Sequence, residues 1–350
     1  MNFGSVLQAY ALKTKLQCCV GSGEVEIIDY VNKLINRNDY NLISFCNMKR
    51  LLNAFLLLPF KIVKRLKFSR FMSKYLFVPR SIKYYRKTIK YIDGKYDLYI
   101  VGSDQVWNFT ITGGDTTYLL DFVSDECKKI SYASSFGFED VFASNRQVYL
   151  QYLRSFREIS LREEIGYGVL VDEAMKPHIH IDPTFLLDRT EWLKFVKKSN
   201  EEYILFYNIL RPNKLYNYAK KLSEQENTRI LEIDAGITSF VRFPGSKKVF
   251  AASVEDILSS IANAKYIFTT SFHGAAFSVI FNKKFFTELN CIGHYNYRVD
   301  NLLKTLGLED RTIENFNGDF DREVNWVSIE KRIKAEQVKS LEYLRGVTDT

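Results

Sequence analysis

Cysteine and histidine are scarce in this sequence, and neither is grouped. The five cysteines are scattered without a CxxC pair, and the four histidines include no HExxH spacing. We therefore predict reduced thiols and no zinc or other metal site. The sequence also has no basic leader with a long apolar core and no apolar run of about 18 residues, which together favour a cytoplasmic protein.

Three common binding and catalytic motifs are also missing. The sequence contains no GxGxxG, no GxxxxGK[ST] and no GxSxG. This excludes the usual signals of a dinucleotide site, a P-loop and a hydrolase nucleophile elbow.

Acidic residues are absent from one long segment. Residues 40–92 contain 13 Lys and Arg and no Asp or Glu, which leaves 36 basic and 41 acidic side chains elsewhere. The net charge of +8 is therefore a property of this segment rather than of the whole chain. The segment is predicted to be helical, with interruptions at Pro59 and Pro79.

What is present is an alternation of apolar strands and helices, which predicts an α/β protein with parallel sheets. The pattern changes near 188–202. We therefore expect an N-terminal domain over 1–190 that includes the basic segment, a C-terminal domain over 200–325 and a charged helix over 326–350. Further expected elements are a first helix capped by Ser5, a strand at 25–30, strands at 97–104, 129–137, 159–162, 203–207, 230–233 and 266–268, and helices at 212–224, 254–262, 275–281 and 302–306.

The strongest candidate site follows the strand at 266–268. The turn Thr269–Gly274 stands between this strand and a predicted helix, where open parallel sheets bind ligands. Gly274 removes side-chain bulk at a helix start, where backbone N–H groups attract anions. Ser271 and His273 add polar donors. A histidine that only caps the helix or fills the core would give the same pattern.

The first half of the sequence has comparable candidates. Gly102 and the polar group Ser103, Asp104 and Gln105 follow a strand, and Asp104 could act as a base or could merely cap a turn. Gly4 and Ser5 form a short glycine turn before the first helix. Arg162, at a strand end, and Arg298, before a leucine-rich helix, are natural clamps for carboxylate or phosphate, although a surface salt bridge is the alternative for each.

These pieces, taken together and in this order, resemble the polysaccharide pyruvyl transferase family. The resemblance covers nearly the whole chain apart from residues 31–90 and the C-terminal tail. The matching segments are NFGSVLQAYALK, YDLYIVGSDQVWN, LDFV, KKISYASSFG, LREE, DPTFLLD, ANAKYIFTTSFHGAAFSVIFNKKF and NYRVDNLLKTLGLEDR.

The resemblance implies two Rossmann-like domains facing a cleft, as in the GT-B fold, with the acceptor side in the first domain and the donor side in the second. It implies transfer of pyruvate from phosphoenolpyruvate to a hexose of a surface polysaccharide, such as a capsule, or of its lipid-linked precursor. This reaction needs no redox cofactor, and phosphoenolpyruvate is the donor substrate. His273 and Asp104 would be catalytic. Arg162, Ser271, Gly274 and, on weaker grounds, Arg298 would bind the donor, and Gly4, Ser5, Ser103 and Gln105 would line the acceptor side.

Two departures from the family pattern stand out. Active members often carry an arginine two residues before the histidine, where this chain has Ser271, so Arg298, Arg211 or Lys283 would have to replace that contact. Related chains also begin with a strand before the Asn2–Ser5 turn, which would lie upstream of Met1. A glycosyltransferase that uses a nucleotide sugar, and a non-catalytic protein that binds glycans or partners, remain the alternatives.

The basic segment suggests a further partner. Residues 51–68 mix apolar and basic side chains and are too short and too charged to span a membrane. Residues 49–90 could instead dock on anionic lipid at the inner membrane face, or form ordinary helices packed on the first domain. No nucleic acid is expected, because no recognised motif accompanies the charge.

Overall fold

The structure, a computed structural model, describes residues 2–40, 48–77, 81–209, 212–234, 240–291 and 294–349. They form two compact units, each assembled from separate stretches of chain. Unit 1 holds Met1–Gly4, Asn41–Phe71 and Leu187–Ile333, and unit 2 holds Ser5–Tyr40, Met72–Leu186 and Lys334–Thr350. The sequence suggested continuous domains, with the basic segment in the first. The donor and acceptor sides assigned to those domains stay predictions.

Helices and strands alternate along most of the described chain, as the sequence predicts. The helices are α1 Phe3–Cys19, α2 Lys33–Tyr40, α3 Met48–Tyr75, α4 Phe109–Thr112, α5 Glu139–Ser144, α6 Arg146–Leu153, α7 Tyr167–Asp172, α8 Arg189–Leu193, α9 Asn213–Gln225, α10 Val254–Asn263, α11 Phe272–Ile280, α12 Tyr297–Leu306 and α13 Trp326–Thr348. The strands are β1 Asp29–Tyr30, β2 Lys83–Tyr84, β3 Tyr99–Val101, β4 Lys129–Ser131, β5 Ile159–Leu161, β6 Pro177–Ile179, β7 Ile204–Asn208, β8 Ile230–Asp234, β9 Ser246–Val249, β10 Tyr266–Thr269, β11 Phe285–Phe286, β12 Asn290–Cys291 and β13 His294–Tyr295.

Unit 1 is built on a five-stranded sheet in the order β11-β10-β7-β8-β9, and every pair in it is parallel. The two central strands, β7 and β10, are buried along their whole length, as expected for a parallel sheet covered by helices on both faces. In α9 the buried side chains Leu215, Ala219 and Leu222 recur at helical spacing and pack with Ile204 and Phe206 of the sheet. The predicted α/β class with parallel sheets flanked by helices is confirmed.

Unit 2 contains the parallel pairs β3-β4 and β5-β6. Isolated parallel bridges join Ile130 to Glu158 and Ser134 to Leu161. These bridges place β4 next to β5, so the two strand pairs lie side by side. An aromatic core of Trp107, Phe136 and Tyr149 lies in this unit, with ring centroids 4.8 to 5.1 Å apart for the pairs that share Phe136. Each of these three side chains is fully buried. The carboxyl ends of β3, β4 and β5 therefore project from a rigid core.

Several expected elements differ in their bounds: the strands expected at 97–104 and 129–137 are the shorter β3 and β4, and the helix expected at 302–306 is the longer α12. Helix α1 begins at Phe3, and the side chain of Asn2 rather than Ser5 accepts a bond from its first turn, at Gly4 N. The strand expected at 25–30 is reduced to β1. Helix α3 runs through Pro59, which is exposed, so water can hydrate the carbonyl that loses its partner there. Pro79 lies outside the described residues.

His180 is a buried histidine of unit 2 and provides a test of pH dependence. Its Nδ1 lies 2.7 Å from Ser160 Oγ, and its ring packs between Tyr132 and Tyr343. Burial, followed by the nearby charges of His178 and Lys339, lowers the pKa of His180 to about 4. The unfolded chain thus binds this proton more readily, and stability is lost as the pH falls from about 6.5 to about 4.

We expect His180→Asn to remove this loss, which amounts to about 2 kcal/mol between pH 7 and pH 5. The measurement is urea unfolding of wild type and variant at both pH values. His178→Asn removes only one of the nearby charges that lower the pKa of His180, so it should relieve a smaller part of the loss. An equal acid sensitivity of wild type and His180→Asn would contradict the prediction.

Candidate active site

His273 lies in the first turn of α11, at the carboxyl end of β10. The helix begins at Phe272 rather than at the predicted Ala275, so His273 belongs to the helix and not to the turn before it. Ser271 is the N-cap residue, and its Oγ accepts a hydrogen bond from Gly274 N at 3.3 Å. His273 is only 4% exposed. The imidazole is therefore held beside a capped helix N-terminus at the ligand-binding edge of a parallel sheet.

Gly274 allows α11 to lie close against the sheet. A methyl group at this position would be 2.3 Å from Thr269 Oγ1 and 3.1 Å from Tyr207 Cδ1. Burial raises the pKa of the Tyr207 phenol, and a hydrogen bond to Ser271 opposes that shift. Ser271 thus caps α11, and Gly274 allows the helix to pack closely on the sheet. Their donor-binding roles stay predictions.

The start of α1 packs directly on the imidazole. A methyl group on Gly4 would lie 2.0 Å from His273 Nδ1, closer than any two such atoms can approach. The Phe3 ring lies edge-on to both His273 and Tyr207, with centroid separations of 6.3 and 5.1 Å. Gly4, predicted to line the acceptor side, is therefore a neighbour of the predicted catalytic histidine, and both belong to unit 1.

Two asparagines fix the turn that precedes α11. Asn208, at the end of β7, accepts a hydrogen bond from Thr270 N at 2.6 Å. Asn296 donates from Nδ2 to Thr270 O at 2.9 Å and directly precedes α12. The N-terminus of α12, which carries the half-exposed Arg298 in its first turn, is thereby tied to the same turn.

The other two cations considered as replacements for the family's arginine differ in position. Lys283 follows α11 and precedes β11, so it lies at the amino ends of the strands, at the opposite edge of the sheet from His273. It is not placed to share a ligand with His273, which corrects that expectation. Arg211 lies outside the described residues. Of the two described cations, Arg298 is therefore the one whose helix begins at the carboxyl edge of the sheet, where His273 lies.

In unit 2, Arg162 is the centre of a buried cluster of charges. Its guanidinium lies 2.9 Å from Asp182, 3.6 Å from Glu163 and 3.6 Å from Asp104. Burial opposes the charge, but Asp182, Glu163 and Asp104 outweigh burial and raise the pKa of Arg162. An arginine enclosed in this way holds carboxylates in place, which favours a structural role. Donor binding by Arg162 stays a prediction.

The predicted acceptor-side residues of unit 2 join this cluster or lie next to it. Ser103 Oγ donates to Asp182 at 3.2 Å, and Ser5 Oγ donates to Asp104. Gln105 accepts a hydrogen bond from Asn108 Nδ2 at 2.8 Å instead. Asp104 has a left-handed backbone with φ of 75°, a conformation that costs energy outside glycine and that clusters at functional sites.

Several residues at the two sites were missed by sequence reasoning. Asp182 is the closest ionic partner of Arg162, and its only signal was its place in the DPTFLLD segment. Asn208 and Asn296 hold the turn before α11, yet each resembles an ordinary loop asparagine in sequence. Their roles depend on strand order, which a local pattern does not reveal.

A substitution at Gly4 tests the packing against His273. Gly4→Ala should destabilise the protein by about 1–3 kcal/mol through overpacking, although alanine favours helices by up to about 1 kcal/mol. Gly346→Ala is the control, because Gly346 is also helical and has nothing within 4 Å of the added methyl group. Thermal unfolding of both variants would measure the difference. A Gly4→Ala variant as stable as Gly346→Ala would contradict the contact.

No group of three or more His, Cys, Asp or Glu side chains suited to a metal is present within the described ranges. None of the helices in this part of the chain is long and apolar enough to cross a membrane. The absence of a cofactor stays a prediction.

The fold is that of an α/β protein with an open parallel sheet, a class in which ligands bind beyond the carboxyl ends of the strands. The family model for polysaccharide pyruvyl transferase matches residues 2–288. The chain belongs to that family, and the resemblance noted in its sequence is confirmed.

Among solved structures, the chain is similar to the UDP-GlcNAc 2-epimerase of Methanocaldococcus jannaschii, which was crystallised in complex with UDP-GlcNAc and UDP. The identity is 12%, the TM-score is 0.46, and the match covers 94% of this chain and 96% of that one. No curated protein sequence matches the chain.

Proposed function

We propose that the protein transfers pyruvate from phosphoenolpyruvate to a hexose of a surface polysaccharide, or of its lipid-linked precursor, and forms a ketal. The family supports a pyruvyl transferase acting on a saccharide. The observation that carries the proposal is the position of His273, a buried imidazole in the first turn of α11 at the carboxyl edge of the sheet.

The reaction needs a proton donor, a proton acceptor and a site for anions. Protonation of C3 of the enol makes C2 electrophilic, and a sugar hydroxyl then adds to C2. The C2–O bond to phosphate breaks, and a second hydroxyl adds to C2 to close the ketal. One hydroxyl proton is thus matched by the proton gained at C3, and the other leaves with phosphate. Imidazole is the side chain best suited to exchange protons near neutral pH.

We assign the general acid–base role to His273. Its position in the first turn of α11 brings it close to backbone N–H groups that favour an anion. Gly4 on one side and the capped turn on the other restrict the ring, which is how an acid–base group is preorganised. The carboxylate and phosphate of phosphoenolpyruvate are the anions that such a site would hold.

Arg298 is our candidate for the cation that replaces the family's arginine. In this chain the equivalent position is Ser271, a short side chain already used as the cap of α11. Arg298 lies in the first turn of α12, and Asn296 ties the start of that helix to Thr270. A guanidinium can bind phosphate or carboxylate through two parallel hydrogen bonds, which an ammonium group cannot do.

The test is release of phosphate from phosphoenolpyruvate by the purified protein, with galactosides, glucosides and N-acetylhexosamines as acceptors. We expect acceptor-dependent release, together with binding of phosphoenolpyruvate by calorimetry. Calorimetry with UDP-sugars is the comparison. Binding of a UDP-sugar but not of phosphoenolpyruvate would transfer the proposal to a glycosyltransferase. Binding of neither, with no phosphate released, would favour a non-catalytic protein.

A further inference from the structure

We infer that α3, which belongs to unit 1 as far as Phe71, is an interfacial helix that binds the surface of an anionic membrane. The helix has one face packed into the protein, formed by Leu57, Phe68 and Phe71 at helical spacing. Phe71 packs on Phe195 with ring centroids 5.7 Å apart. This face anchors the helix and fixes which side chains point outward.

The outward face of α3 is also apolar. Five large apolar side chains on it are exposed, from 43% for Ile62 to 64% for Leu66. With Pro59, they follow the spacing of a single stripe along a helix. We call these five the exposed stripe: Phe55, Leu56, Ile62, Val63 and Leu66.

A second element extends the apolar surface beside α3. Phe60 contacts Phe240 and Phe250, with ring centroids 6.0 and 5.0 Å away. Phe240 and its neighbour Val241 are themselves 39% and 64% exposed. Contiguous apolar surface of this kind marks a binding site rather than ordinary scatter.

The charge around the exposed stripe selects the partner. Arg65 and Arg70 are exposed on the same helix, and Arg242 is exposed next to Val241. Lys67 contributes less, because it pairs with Asp256 at 2.9 Å. Residues 40–92 contain no acidic side chain. Apolar side chains on a segment whose own charges are all positive match the acyl boundary and the headgroups of anionic lipid.

An anionic membrane fits this surface better than a protein partner does. Residues 40–92 carry 13 basic side chains and no acidic one, and such a run of positive charge beside an apolar stripe matches a uniformly negative lipid surface. This inference does not depend on the proposed catalytic reaction. It deepens that proposal only in that a lipid-linked acceptor would be met at the same surface.

The test is flotation of the full chain with vesicles of phosphatidylglycerol and phosphatidylcholine, compared with vesicles of phosphatidylcholine alone. We expect binding only to the anionic vesicles, weakened by added salt. The double variant Ile62→Asp with Leu66→Asp should reduce the bound fraction by about tenfold or more. Val327→Asp is the matched control, because Val327 is 80% exposed on α13 and far from the stripe in sequence.

Three outcomes would overturn the inference. The first is that the wild type does not float with anionic vesicles, and the second is that wild type and double variant float equally. The third is that the wild type binds no vesicles but self-associates in sedimentation, and that the double variant abolishes this self-association. Such self-association would assign the exposed stripe to contacts between copies of the chain. Phosphate release from phosphoenolpyruvate, measured in parallel without lipid, reports on the catalytic proposal separately.

Discussion

Replacing His273 by glutamine should lower acceptor-dependent phosphate release from phosphoenolpyruvate by about 10²–10⁴-fold. This is the contribution that a positioned acid–base group makes to a proton transfer. Glutamine retains a polar side chain of similar length, so the helix and the contact with Gly4 should persist. The measurement is the initial rate of phosphate release at saturating donor and acceptor.

The matched control is Ser278→Ala in the same helix. Ser278 is also buried and polar, and its Oγ donates to Gly274 O at 2.7 Å within α11. Its removal should leave the rate within about threefold, since it touches no reacting group. Partial recovery of a His273→Ala variant by added imidazole would identify the ring itself as the active group. A His273→Gln variant with a rate close to wild type would reject His273 as the acid–base residue.

The sheet of unit 1 was predictable because its strands are short apolar runs separated by periodic helices. The strand expected at 230–233 and the helix expected at 254–262 lie within one residue of β8 and α10. Helix α11 begins three residues before the predicted Ala275, because a glycine at position 274 weakens the helical pattern in the sequence. The sequence shows Ser271 as a polar residue in the turn. Its role as the N-cap residue becomes clear only when α11 is known to begin at Phe272.

The surroundings of His273 were not predictable from local sequence. Gly4 and His273 are 269 residues apart in the sequence, and no periodic pattern links them. The same holds for Arg162 and Asp182, which β5 and β6 bring together as neighbouring strands. Sequence patterns indicate which side chains can bind ligands or transfer protons. The order of the strands determines which of these side chains come into contact.

Arg162→Met should destabilise the protein by about 3–5 kcal/mol, the largest stability effect that we expect from one substitution. It leaves the buried Asp182 and Glu163 and the half-buried Asp104 without their shared cation, and an uncompensated buried charge is costly. Asp182 also accepts from Thr184 and Ser103, but neutral donors cannot replace the guanidinium. The measurement is the free energy of unfolding in urea.

Arg146→Met is the control, because Arg146 pairs with Glu173 at 3.3 Å on the surface and should cost less than about 1 kcal/mol. Equal losses from the two substitutions would contradict the structural role of Arg162. Arg162→Lys then separates structure from donor binding, since it keeps the charge but not the planar fork. If the Arg162→Lys protein folds and binds phosphoenolpyruvate as tightly as wild type, the role of Arg162 is limited to holding the three carboxylates. A tenfold weaker affinity in that protein, at unchanged stability, would instead support donor binding by Arg162.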